Sequence, residues 1–252
     1  MIRQFAVINL AVLLVVITIN VLANTLPLNN LTTGQLSERV NVLFTPAGYV
    51  FSIWSLIYLT LFLWAVRGLY TRRGADLEAI SRIGFLFAWS GLFNVLWLFL
   101  FHFEFYVLTL FPMVALLTTI IFMYYHVDRT EGVTIWTKLP FSIYLGWVSV
   151  ATIVNIGIFF NSIGLNEGFI FSNITWTVLV LFVGGGIAYA FTRIFRDAVY
   201  GLVFVWAFLG IAVERTGESI VIAFFAALVG TALLAYIVYY VYTTKKMLEF
   251  EA

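Results

Sequence analysis

The chain has 252 residues, 63% of them hydrophobic, 19% aromatic and only 10% charged, with a mean hydropathy of +1.05. A soluble domain runs near about 45–50% apolar and about 25% charged, so a water-soluble globule is excluded, and ample apolar side chains exclude disorder. A net charge of +1 leaves no basic footprint for nucleic acid, and the lack of cysteine removes disulfides, thiolate nucleophiles and Cys-based metal sites. What remains is an all-α, polytopic integral membrane protein whose solvent is the lipid bilayer.

A helix crossing a hydrocarbon core about 30 Å thick needs about 20 residues. In chain order, eight stretches qualify: 5–24, 46–66, 83–101, 105–125, 139–160, 173–192, 198–213 and 219–242. The first run is too long for the core of a signal peptide, although Val21-Leu22-Ala23 resembles a cleavage site. Barrel strands would be about ten residues long and would alternate polar with apolar. Between the spans, 25–45 is the longest outside loop, with a glycosylation-like Asn30-Leu31-Thr32, and 67–82 is a basic inside loop. The polar turn 161–172 divides a five-helix membrane unit, 1–160, from a three-helix extension, 161–252. No internal repeat of the kind that builds many transporters is visible.

The cations support this count. Of the 13 Lys and Arg, all but Arg39 and Arg215 fall on one side, which an excess of cytoplasmic positive charge makes the inside. Both termini are then cytoplasmic, in a membrane of the bacterial cytoplasmic type.

Polar groups inside spans are costly and are therefore of first interest. Asn94 and Asn155 lie within the third and fifth spans. Each amide has donors and acceptors that lipid cannot satisfy, which makes it either interhelical glue or a pocket wall. Aromatic and amide residues share helical stripes: Trp54 with Tyr58, Asn94 with Trp97 and Phe101, and Trp147 with Ala151 and Asn155. Such stripes suit a flat, apolar ligand with polar edges. His102 and Glu104 are expected in an exposed turn, and Glu214, Arg215 and Glu218 in a charged outside cap. Small-residue seams, Gly84-x-x-x-Ala88, Gly184-Gly185-Gly186 and Ala226-x-x-x-Gly230, suit close helix packing or a homodimer contact. There is no nucleophile–base set, phosphate loop or intramembrane carboxylate pair to suggest an enzyme.

Three of these patterns carry a family resemblance. The run Thr45-Pro46-Ala47-Gly48-Tyr49-Val50-Phe51-Ser52-Ile53-Trp54-Ser55-Leu56-Ile57-Tyr58 resembles the second-helix signature of the translocator protein or tryptophan-rich sensory protein (TspO/MBR) family, with Tyr49 where the family usually has its first tryptophan. Asn94-x-x-Trp97-x-x-x-Phe101 and Trp147-x-x-x-Ala151-x-x-x-Asn155 are similar to its third- and fifth-helix patterns. The resemblance covers about residues 1–160 and leaves the last three spans outside it. It implies a five-helix fold, often dimeric, with an interhelical pocket under the first loop that takes porphyrins, sterols and synthetic lipophilic ligands. On these matches Tyr49, Trp54, Tyr58, Asn94, Trp97, Trp147 and Asn155 form the ligand-binding set.

The function expected is a membrane sensor or receptor for a lipophilic small molecule, a porphyrin or haem-like tetrapyrrole among the candidates, with no covalent cofactor and no metal ligands. The alternative is a transporter of porphyrin, lipid or another hydrophobic molecule. The topology is open to direct test. Reporter fusions at residue 75 and after residue 246 are expected to read cytoplasmic, and one at residue 165 external; an external reading at 75 overturns the arrangement.

Overall fold

A backbone in lipid must satisfy its own N–H and C=O groups, and among the described residues it does so chiefly as helices. The computed structural model describes residues 2–26, 31–40, 42–165, 167–168 and 170–250, and the side chains of all of these except Glu38 and 245–250. Asn29, Asn30, Asn166 and the side chains of Lys245 and Lys246, which entered the sequence reading, lie outside that description. The helices are α1 (Ile2–Thr25), α2 (Thr33–Val40), α3 (Ile53–Tyr70), α4 (Gly74–Ile83), α5 (Leu86–His102), α6 (Tyr106–Asp128), α7 (Ile135–Ser162), α8 (Asn173–Phe195), α9 (Ala198–Arg215) and α10 (Ile220–Phe250).

Among the described residues, seven helical stretches are long and apolar enough to cross a bilayer, and there are up to eight when the bent pair α4 and α5 is counted as one broken span. The architecture is therefore the helical membrane bundle of about eight spans that composition demanded. Three local expectations change. The outside loop 25–45 contains α2. The basic loop 67–82 is largely helical, since α3 runs on to Tyr70 and α4 begins at Gly74. The third span is α5, only 17 residues and about 25 Å long, joined to α4 at a 53° bend. Gly84 makes that bend with φ +50°, a left-handed conformation that costs glycine little, so it is a hinge between helices rather than a packing seam.

The chain forms two compact units: Met1–Val42 with Phe51–Leu165, and Leu43–Val50 with Asn166–Ala252. In the first, α1 packs on α3 and α5, α3 on α7, and α6 on both α5 and α7. Small residues set the spacing. A Cβ at Gly91 would stand 2.5 Å from Val12 Cγ1 and 3.2 Å from Val16 Cγ2, so α1 and α5 approach more closely than two side chains would allow. Where α4 meets the start of α7, Asp76 is buried and accepts from the Thr134 N–H at 2.9 Å, the Thr134 hydroxyl at 3.1 Å, the Thr137 hydroxyl at 2.8 Å and Arg67 Nη2 at 3.3 Å. A carboxylate at the first turn of α7 satisfies free N–H groups and complements the helix dipole.

In the second unit α10 packs on α8 and α9. Asp197 starts α9 by accepting from the Val199 and Tyr200 N–H groups. The segment 43–50 lies along α9. Ala47 N–H donates to Gly210 O at 3.3 Å, Trp206 Nε1 donates to Val50 O at 3.1 Å, and Arg215 Nη2 donates to Thr45 O at 3.4 Å. Arg215, expected in a solvated cap, is instead 3% exposed, because it is held between that carbonyl and Glu218. The short seventh span thus ends in a buried guanidinium.

The Asp76 junction gives a stability prediction. Asp76→Asn keeps the shape but replaces one acceptor oxygen with a donor that faces Thr or Arg donors. It is expected to cost about 1–3 kcal/mol, read as a fall in Tm in detergent; an unchanged Tm would mean that the junction does not hold α4 to α7.

Candidate functional site

The first unit gathers four of the seven expected ligand-binding residues into one interior cluster. On α3, Trp54 stacks on Tyr58 with centroids 5.5 Å apart and planes 22° apart, as their i, i+4 spacing requires. Across from them on α7, Trp147 stands edge-on to Trp54 at 6.4 Å and to Phe51 at 5.7 Å, and Tyr144 stands edge-on to Trp54 at 6.2 Å. From α5, Asn94 neighbours the Tyr58 and Tyr144 side chains, and Ser90 neighbours Tyr144. Asn94 is 1% exposed and Trp147 is 2% exposed. Edge-to-face and offset contacts of this kind are the favoured geometry for aromatic rings.

The polar edges of this cluster are only partly used. Asn94 Oδ1 accepts from Asn20 Nδ2 at 3.0 Å. Asn94 Nδ2, the Tyr58 hydroxyl and Trp147 Nε1 are buried without a hydrogen bond. An unmet donor in a low-dielectric interior costs about 1–3 kcal/mol, and three such groups face one aromatic cluster. In chemical terms the cluster can stack a flat apolar body and donate hydrogen bonds to its edge. The described side chains of the cluster bring no charge and no nucleophile to it.

The other three expected residues lie elsewhere. Asn155 is buried between α6 and α7, where its Nδ2 donates to Thr109 Oγ1 at 2.9 Å. That is interhelical glue, worth about 0.6–2 kcal/mol in a membrane. Trp97 is turned to Phe101 on its own helix, stacked at 5.1 Å and 14°, with its Nε1 buried and unbonded. Tyr49 belongs to the second unit, where its half-exposed ring meets Trp206 edge-on at 5.5 Å.

Sequence reasoning missed Tyr144, Ser90 and Asn20. Tyr144 is three residues before Trp147, on the same stripe, and could have been read from that spacing. Asn20 is an amide in an apolar run, the same signal that Asn94 and Asn155 carry. His102 departs from expectation as well: it is fully buried, with Nδ1 3.0 Å from Leu98 O, while Glu104 pairs with Arg39 at 3.2 Å. That ion pair lines a cleft of about 280 Å³ together with Val40, Tyr106, Asn161 and Ser162. Among the described residues no group of His, Asp and Glu could hold a metal ion.

No curated protein and no solved structure shows significant similarity to the chain. A family model does: the one described as TSPO-like protein matches residues 6–240, and so takes in α8 to α10 as well as the helices that carry the aromatic stripes. Through that match, and the membrane-spanning fold that goes with it, the chain belongs to the TSPO-like protein family.

Proposed function

We propose that this membrane protein is a sensor or receptor that binds a lipophilic small molecule among α3, α5 and α7, with a tetrapyrrole such as a porphyrin as the leading ligand class. The observation that carries the reading is the set of three unbonded polar edges, on Asn94, Tyr58 and Trp147, around the stacked rings of Trp54, Tyr58, Tyr144 and Trp147. Asn155 offers the contrast, since its Nδ2 donates to Thr109 Oγ1 at 2.9 Å. A ligand that stacks on these rings and accepts from these donors recovers their desolvation cost at the moment of binding. The family supports a ligand-binding or transport role in the membrane.

Titration of intrinsic tryptophan fluorescence with protoporphyrin IX tests the site. Trp147→Phe keeps a ring but removes area and the N–H, and is expected to weaken binding modestly. Trp147→Ala is expected to weaken it by more than about 1 kcal/mol, the scale of a buried aromatic anchor. Asn155→Leu is expected to lower Tm without ligand and to leave the titration nearly unchanged. Identical titrations for the folded wild type and Trp147→Ala would reduce Trp147 to a packing residue. Net movement of protoporphyrin into proteoliposomes down its gradient would shift the assignment from sensor to transporter.

A further inference from the structure

The orientation of Asn94 follows from its neighbours. Asn20 lies one turn beyond Val16 on α1, and its Nδ2 donates to Val16 O at 3.0 Å. A backbone carbonyl can only accept, so the Asn20 side chain must present its NH2 group there, with its amide orientation fixed by chemistry. The same NH2 group donates its second hydrogen to Asn94 Oδ1 at 3.0 Å. Asn94 is thereby locked with its oxygen toward α1 and its own NH2 toward the aromatic cluster. The lock depends on the close approach of α1 and α5 one turn earlier, where Gly91 admits Val12 and Val16.

The polarity then propagates. The Tyr58 and Tyr144 hydroxyls next to Asn94 can each donate and accept. A hydroxyl beside an amide N–H turns its oxygen toward the amide and its hydrogen away. Trp147 Nε1 is a donor only. Ser90 donates its hydrogen to Phe87 O and leaves an acceptor beside Tyr144, so the donor edges that remain for the cluster are those of Tyr58, Asn94 and Trp147.

We propose that Asn20 is a positioning residue that sets the hydrogen-bond polarity of the aromatic cluster, so that the site selects flat lipophilic molecules with an acceptor edge, such as a carbonyl, and discriminates against those with an N–H edge. The proposal rests on the reading of this cluster as a ligand site and names the ligand class that the site prefers.

Three tricyclic probes of the same shape separate the effects: 9-fluorenone carries a carbonyl, carbazole an N–H and fluorene neither. Binding is read by tryptophan quenching or by competition with protoporphyrin IX, corrected for each probe's partition into detergent. In the wild type, fluorenone is expected to bind about five- to tenfold more tightly than fluorene, the worth of one net hydrogen bond, and carbazole more weakly than fluorene. Asn20→Asp reverses the lock. Its acid O–H can donate to Val16 O while its carbonyl oxygen accepts from Asn94, which turns Asn94 Oδ1 toward the cluster. The fluorenone-to-carbazole ratio is then expected to fall by at least tenfold while fluorene, which reads only shape, changes little. Asn20→Leu frees Asn94 to rotate and is expected to bring the ratio toward one, so it decides the matter if the aspartate variant does not fold. A ratio unchanged in a folded variant that still binds fluorene overturns the role of Asn20. Equal binding of the three probes by the wild type overturns the donor polarity but leaves the site standing. Failure of all three probes and of protoporphyrin IX to bind the wild type overturns the site itself and the proposal with it.

Discussion

An amide side chain inside a hydrocarbon layer has no water to turn to, so each N–H and C=O must find a partner within the protein or wait for one from outside. The first unit contains both solutions. Asn155 donates from Nδ2 to Thr109 Oγ1 at 2.9 Å, and joins α6 to α7. Asn94 closes only its oxygen, onto Asn20, and leaves its NH2 among aromatic rings. Two asparagines with the same chemistry, both 1% exposed, thus take different roles because of what faces them. The difference is the presence of Asn20 on a helix that can come close enough to use it.

That closeness is a packing property. At Gly91 the side chains of Val12 and Val16 occupy the space that a Cβ would need, and the next turn of each helix brings Asn20 and Asn94 to 3.0 Å. Dispersion and interhelical hydrogen bonds are the forces available to hold helices together in lipid, since burial of apolar surface gains little when lipid tails are as apolar as the side chains. A glycine on α5 therefore acts one turn away: it brings in the residue that orients the Asn94 amide.

Much of this was legible in the chain. Composition and apolar run lengths are enough for a helical membrane bundle, because lipid allows so few other states. The i, i+4 spacing of Trp54 and Tyr58 made their stacking a geometric necessity. The meeting of Trp54 with Tyr144 and Trp147 was not deducible from spacing, since contact across helices depends on rotation about each axis, which a stripe alone leaves open. Trp97 illustrates the point: its stacking on Phe101 follows from their shared stripe, but that stripe alone does not bring Trp97 to the rings of α3 and α7. Arg215 was misjudged for a related reason. A charge at a helix end is normally solvated, and only the arrival of Thr45, 170 residues earlier in the chain, supplies the carbonyl that helps to bury it.

The segment 43–50 carries the same reasoning into the second unit. Its residues read, by sequence, as the start of a transmembrane helix continuous with Trp54 and Tyr58. A helix there would leave Gly210 O and Trp206 Nε1 without the partners they have, Ala47 N–H and Val50 O. It would also withdraw Val50 from Gly210, where a Cβ would stand 2.2 Å from Val50 Cγ2. The segment is instead irregular up to a short 3₁₀ turn at Gly48–Ser52, and α3 begins only at Ile53. Non-helical backbone in a membrane protein is tolerated where protein covers it, and α9 provides the cover. α3 therefore begins three residues after a stretch whose conformation α9 maintains. A family match that runs through residue 240 is consistent with that dependence: the helices after residue 165 supply the polar partners of a motif that precedes residue 55.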